Sequence, residues 1–405
     1  MTGRALVAAV LIAVLLPGTA RAQTIEEQQW HLAALDVPTA HATTRGEGVV
    51  VAVVDSGVDD TRPDLAGALL PGSGFGSAKG TDGTEDNDGH GTAMATLIGG
   101  RAVDGGALGV APGAMILPVS VGADGDKFTT ASVAEGVTWA VDQGADVVNL
   151  SLTSLATLTP DLLRAVNYAF DHDAVVVAGT GNDGAEHVGA PANIKGVIAV
   201  SGTVEGNAPW PESNTGPETV LAAPAQRIVT AVPLKVVDTG YAEVDGTSAA
   251  TALVSGAAAL VRARYPELDA GNVVNRLIAT ATDLLAPGRD NATGFGQVNP
   301  VAALTADVPP VQRNPLLPPP RESSSEATTS GQGVALPPPP DRSGAAGVDG
   351  RTRLLVALGG LLAAGVVVAV VSLLLARRSR IRRAPAPVIT EIPPPSDDFW
   401  RTDRF

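Results

Sequence analysis

The chain has 405 residues, a formal net charge of −15 and no cysteine. Absence of cysteine excludes a disulfide framework, a thiolate metal site and a cysteine nucleophile. The acidic balance, with no basic stripe to neutralise phosphates, excludes nucleic acid as a partner.

The N-terminus has the form of a secretory signal. Arg4 precedes an apolar run over residues 5–16, and Ala20-Arg21-Ala22 gives a small-x-small cleavage site, so residues 1–22 are expected to be removed. From about residue 25 to 304, apolar runs alternate with Gly-rich turns, as in one globular domain. Residues 48–54 are an apolar, valine-rich run, the pattern of a strand buried on both faces, and 145–152, 174–178 and 196–200 hold similar runs. Helical patterns cover 130–143, 160–172 and 249–264. Strands alternating with helices predict an α/β fold around a mostly parallel sheet, with its site at the carboxyl ends of the strands.

Beyond the globular region, residues 307–350 are rich in Pro, Ser, Thr and Gly and predict an extended spacer over about 306–350. Residues 354–376 form an uninterrupted uncharged apolar stretch, longer than the roughly 20 residues that one membrane helix needs. Arg377, Arg378, Arg380, Arg382 and Arg383 follow, against Arg351 and Arg353 on the near side. That asymmetry predicts a single span with residues 377–405 cytoplasmic and the body of the protein outside the cytoplasmic membrane.

Four positions carry candidate chemistry. Asp55 follows the first strand in Val-Val-Asp-Ser-Gly, His90 stands in Asp-Gly-His-Gly-Thr, and Ser248 in Asp-Gly-Thr-Ser opens a small-residue helix. Asn182 lies in the Gly-rich turn 179–184 after the third strand. Each has a plain structural reading as well. An aspartate at a strand end forms turns, a serine at a helix start is an N-cap, and an asparagine tolerates left-handed backbone. Taken in the order Asp, His, Ser, they match the parts of a nucleophilic serine with a base and an orienting carboxylate. The other histidines, His31, His41, His172 and His187, read as surface or packing residues, and no metal or cofactor site is assigned. Asp59, Asp60, Asp82, Glu85, Asp86 and Asp88 read as a solvated acidic surface, since they lack a recognisable calcium loop.

These motifs resemble the subtilisin-like serine proteases over almost all of 25–304. Gly109-Val110-Ala111-Pro112, Asn149-Leu150-Ser151-Leu152 and Gly189-Ala190-Pro191-Ala192 strengthen the likeness. The resemblance implies a three-layer sandwich with a mostly parallel sheet over 23–305. It also implies catalysis by Ser248, His90 and Asp55, with Asn182 as oxyanion donor and a polypeptide as substrate. By the same resemblance Ser151, Leu152 and Thr153 would form an edge along which a peptide lies as an added strand. Signal, protease domain, Pro-rich spacer, single span and basic tail together resemble the mycosins, membrane-anchored proteases of type VII secretion systems. That implies membrane components of such a system as partners. A bracing scaffold with little proteolysis, or a surface protease unconnected with secretion, stand as alternatives. The chain departs from the pattern in its missing cysteines, with Asn87 where one is expected, and in Ala252, where a proline is usual. Thr153 and Ser154 replace common glycines, and Thr96 another; side chains at 153 and 154 narrow the expected cleft and argue against broad digestion.

Overall fold

The computed structural model describes residues 23–122, 128–153 and 158–318. The expected signal, the span at 354–376 and the cytoplasmic tail lie outside the described residues. Among the described residues no helix is long and apolar enough to cross a membrane.

The described residues open with three short helices, α1 (Ile25–Gln28), α2 (Trp30–Ala34) and α3 (Val37–Ala40). Gln29, between the first two, is buried and acts as a clamp. Its side-chain amide donates to the carbonyls of Leu108 and Val229 and its oxygen accepts from the Leu108 N–H, at 2.8–3.1 Å. There follow β1 (Val50–Asp55), β2 (Ser73–Gly74), α4 (His90–Gly99), β3 (Met115–Ser120), α5 (Thr130–Asp142), β4 (Val147–Leu150), α6 (Pro160–Asp171), β5 (Val175–Gly179) and β6 (Ile198–Thr203). The chain then forms β7 (Thr219–Pro224), β8 (Ile228–Ala231), β9 (Tyr241–Val244), α7 (Thr247–Arg264), α8 (Ala270–Ala279) and α9 (Pro300–Thr305).

Seven strands form one parallel sheet in the order β2-β3-β1-β4-β5-β6-β7, and β8 and β9 pair as an antiparallel hairpin. The four apolar runs of the sequence lie in β1, β4, β5 and β6. Val51, Val53, Val147, Val148 and Val177 are wholly buried, each contributing about 1.5–3 kcal/mol by leaving water.

The strand order fixes where a site can form. From β1 the chain passes by α4 to β3 on one side. From β3 it returns across β1 by α5 to β4, then continues by α6 to β5. Right-handed crossovers in opposite directions lie on opposite faces of the sheet. α4 therefore packs with α7 on one face and α5 with α6 on the other, giving three layers. Chains leave the adjacent ends of β1 and β4 towards opposite faces, and such a switch point is where parallel sheets open a binding crevice.

Two findings go beyond the sequence reading. Strand β3 contains Pro118, a residue that argues against an inner strand. The Ile116 N–H and C=O bond to Ala68 and Leu70, so Pro118, two residues on, directs its missing donor to that same side. There β2 pairs only from Val119 onwards, so no ladder bond is lost. The chain past residue 305, expected to begin the spacer, stays on the domain as far as 318. Asn272 exchanges bonds with the Val311 backbone at 2.8 and 3.0 Å, and Asn314 donates to the Gly196 carbonyl at 2.9 Å.

Candidate active site

Asp55 is the last residue of β1 and is fully buried. Its Oδ1 accepts from the Ser56 N–H at 2.8 Å and lies 2.8 Å from His90 Nδ1. A carboxylate against Nδ1 requires the proton there, which leaves Nε2 of a neutral imidazole as a base. His90 begins α4, and the next residue has to be glycine. A Cβ on Gly91 would stand 2.1 Å from the Gly57 carbonyl, so only a bare backbone lets α4 approach the Asp55 turn. Burial opposes the charged form of His90. The Asp55 carboxylate and its hydrogen bond, with Asp88 and Asp86 behind, outweigh that and raise the imidazole from 6.5 to about 9.

Ser248 lies in the first turn of α7, the buried small-residue helix beside α4. Its hydroxyl donates to the Ser151 carbonyl at 3.1 Å, just past the end of β4. The Ser151 hydroxyl returns a bond to the Ser248 carbonyl at 3.0 Å. Ser151 in turn accepts from the Asn149 amide, whose oxygen takes the Ser255 hydroxyl, each at 2.9 Å. The loop after β4 and the start of α7 are thus stitched together by buried neutral bonds.

Asn182 sits in the turn after β5. Its Oδ1 accepts from the Thr247 N–H at 2.9 Å and from the Thr247 hydroxyl at 2.8 Å. A backbone N–H can only donate, so the amide orientation is settled and Nδ2 is the end left to donate. A helix start leaves its first N–H groups without intrahelical acceptors. Beside Ser248, then, stand an amide and main-chain N–H groups suited to a developing oxyanion.

The expected peptide-edge residues offer their main chain rather than their side chains. Ser151, Leu152 and Thr153 are all buried, and their side chains turn into the protein, with Thr153 donating to the Gly179 carbonyl at 2.8 Å. Only their main chain is suited to pair with a substrate strand.

Sequence reasoning missed Asp86. Grouped there with a solvated acidic surface, it is fully buried. Its Oδ1 accepts from the Ser56 hydroxyl and the Asp88 and Gly89 N–H groups, at 2.8, 3.2 and 2.8 Å. Its Oδ2 accepts from the Thr92 N–H at 2.9 Å and the Thr92 hydroxyl at 2.5 Å. Burial pushes its carboxyl upward, against the pull of these bonds. Asp86 ties the His90 approach to the Asp55 turn and is a positioning residue for both. Its spacing from His90 and Thr92 was the available signal, but spacing does not say which way a side chain points. Asp59 and Asp82 are turn formers, each capping a threonine two residues on. Among the described residues no group of three His, Cys, Asp or Glu is arranged to hold a metal ion.

A carboxylate-bound histidine and a helix-start serine with amide donors, at the switch point of a parallel sheet, define a serine protease of the Asp-His-Ser class. The chain belongs to the subtilase family, whose profile matches residues 46–296. Subtilisin BL from Lederbergia lenta is 38% identical over 276 residues, covering 68% of this chain and 97% of that protein. Subtilisin Savinase from the same organism is 37% identical over 275 residues, with the same coverage. Among solved structures, the MycP3 protease from the type VII (ESX-3) secretion system superposes with a TM-score of 0.60 at 32% identity, over 72% of this chain and 91% of that one. MycP1, an essential component of the type VII (ESX-1) secretion system, gives a TM-score of 0.61 at 32% identity, over 70% and 90%.

Proposed function

We propose that the protein is an exported, membrane-tethered endopeptidase that cleaves one or a few polypeptides beside a type VII secretion complex. The 2.8 Å contact of Asp55 with His90, at the sheet's switch point, is the observation that carries the catalytic part. To react, the Ser248 hydroxyl must turn its proton from the Ser151 carbonyl to His90 Nε2. Ser248 Oγ then attacks the scissile carbonyl carbon as its proton passes to His90 Nε2, while Asp55 holds Nδ1–H and stabilises the imidazolium. The oxyanion receives bonds from Asn182 Nδ2 and main-chain N–H at the start of α7. Collapse breaks the C–N bond, and His90 returns its proton to the leaving amine. Water, deprotonated by His90, releases the acyl group by the reverse sequence.

The cellular setting rests on different support. Residues 1–22 have the form of a signal, 354–376 that of a membrane span and 377–383 that of a cytoplasmic arginine cluster. The MycP neighbours come from type VII systems. In this reading the protease domain works outside the cytoplasmic membrane with the C-terminus inside.

A fluorophosphonate probe tests the chemistry on the full-length chain. Labelling that disappears in Ser248→Ala is expected, and a folded chain that takes no label sinks the reading. Copurification from native membranes tests the setting: recovery without any secretion-channel component would leave a surface protease of another kind.

A further inference from the structure

We propose that Thr153 plugs the crevice that receives the substrate side chain preceding the scissile bond, limiting that residue to glycine, alanine or serine. The proposal rests on the serine-protease reading of Ser248 and deepens it to a substrate class.

Strands β4 and β5 are in register up to Leu150 and Ala178, and beyond that pair the two chains part. Residues 151–153 form one wall of the opening and 179–182 the other. Ser248 Oγ lies 3.1 Å from the Ser151 carbonyl on the first wall, while Asn182 ends the second. A carbonyl attacked by Ser248 with its oxygen on Asn182 spans the mouth of this opening. The side chain attached next to that carbonyl enters between the walls.

Thr153 already bridges them. Its hydroxyl donates to the Gly179 carbonyl at 2.8 Å, and its methyl lies 3.4 Å from where a Cβ on Gly181 would stand. The residue is only 8% exposed, so its side chain fills space rather than lining it. Neither of the glycines facing it has room behind it for a side chain. A Cβ on Gly181 would meet Asn214 Nδ2 at 2.3 Å, and Asn214 is itself fully buried, with its oxygen accepting from the Asp183 and Ala185 N–H groups. A Cβ on Gly179 would meet Thr247 Oγ1 at 2.9 Å. With that wall backed and Thr153 bridging to it, the space left for the substrate side chain should suit a methyl or hydroxymethyl group. One misfitting methylene in such a pocket costs about 10- to 200-fold in specificity.

The test sets peptide boronates against fluorophosphonate labelling of the full-length chain. The boronates share one sequence and end in the alanine or the phenylalanine analogue, whereas a small alkyl fluorophosphonate needs no side-chain pocket. In the unaltered chain the alanine boronate should compete at least about 100-fold better, since a phenyl group exceeds the one-methylene misfit that already costs about 10- to 200-fold. Thr153→Gly should cut that ratio at least tenfold by gaining on phenylalanine. Thr153→Ser, which keeps the bond to Gly179 and removes only the methyl, should fall between. Equal or inverted competition in the unaltered chain overturns the proposal, as does an unchanged ratio in labelled Thr153→Gly. Should Thr153→Gly fail to take label, the ratio in Thr153→Ser decides in the same way. No labelling of the unaltered chain overturns the protease reading instead, so the two failures are distinct.

Discussion

The two helix starts that carry His90 and Ser248 are built by opposite means. Both α4 and α7 begin after a glycine with no side-chain cap, and the two helices pack together. Before α4 the loop is gathered around one buried carboxylate, Asp86, with five donors on two oxygens. Before α7 the loop is held by neutral amides and hydroxyls from Asn182, Thr247 and Ser151. The charged arrangement suits a residue that must become a cation, because Asp86, Asp88 and Asp55 all favour imidazolium. The neutral arrangement suits a residue beside which negative charge develops. A charge removed from the first should cost more than a hydroxyl removed from the second, because a buried donor set left without its acceptor bears the full desolvation penalty.

The largest effect should come from Asp55→Asn. An amide forces the wrong imidazole tautomer, and kcat should fall by about 10⁴-fold, the loss seen for the equivalent change in other Asp-His-Ser proteases. In the unaltered protein the base must be neutral to act, and its pKa is raised. The rising limb of kcat/KM should therefore lie well above pH 6.5, towards about 9, and a pH–rate profile checks it. A limb at or below 6.5 would contradict the charged surroundings described for α4.

Asn182→Ala should lower turnover by about 10²–10³ with KM little changed, a magnitude borrowed from the same change in a subtilisin. Steady-state kinetics separates this from a folding defect. Asp86→Asn and Ser151→Ala then make the direct comparison. Asp86→Asn turns one acceptor oxygen into a donor among donors, and should destabilise by about 2–4 kcal/mol while reducing labelling at Ser248. Ser151→Ala removes two neutral bonds, the one given to the Ser248 carbonyl and the one taken from the Asn149 amide, and should cost about 1–2 kcal/mol. Denaturant midpoints measure both, and equal losses would erase the contrast between the two helix starts.

The last effect lies far from the site and touches no step of the reaction. His31 in α2 is wholly buried, its ring nitrogens have no hydrogen-bond partner among the described residues, and burial lowers its pKa from 6.5 to about 3. Above pH 6.5 it is neutral whether folded or not and adds no pH dependence. Below 6.5 the unfolded chain takes up a proton that the folded one refuses, so stability falls towards pH 3, by about 1.4 kcal/mol per pH unit from this group. His31→Leu should flatten that slope by one proton, as read from urea unfolding at pH 5 and 7.

Strand-and-turn signals around the chemistry were legible because they are local. Valine-rich runs specify strands buried on both faces at β1, β4 and β5, and a small-residue run specifies the buried helix α7. Asp55, Asn182, His90 and Ser248 stand at the ends or starts of such elements, where chain direction alone aims them at one edge of the sheet. The strand at 115–120 was hidden by Pro118, which is tolerated only because the neighbouring strand is short. The N-terminal clamp at Gln29 and the extension through residue 318 depend on partners at distant points of the chain, which no local pattern announces.

The sequence by itself therefore determined the class of fold and the identity of the chemical groups, since both follow from periodicity, turn residues and motif order. Tertiary structure alone decided what those groups touch. It buried Asp86 beneath the His90 approach, turned Ser151 inward to the Ser248 carbonyl and bonded Thr153 to the Gly179 carbonyl beyond the paired part of β4 and β5. The physical reason is that a side chain's direction and partners are set by packing between elements remote in the chain, whereas composition records only what each element needs locally.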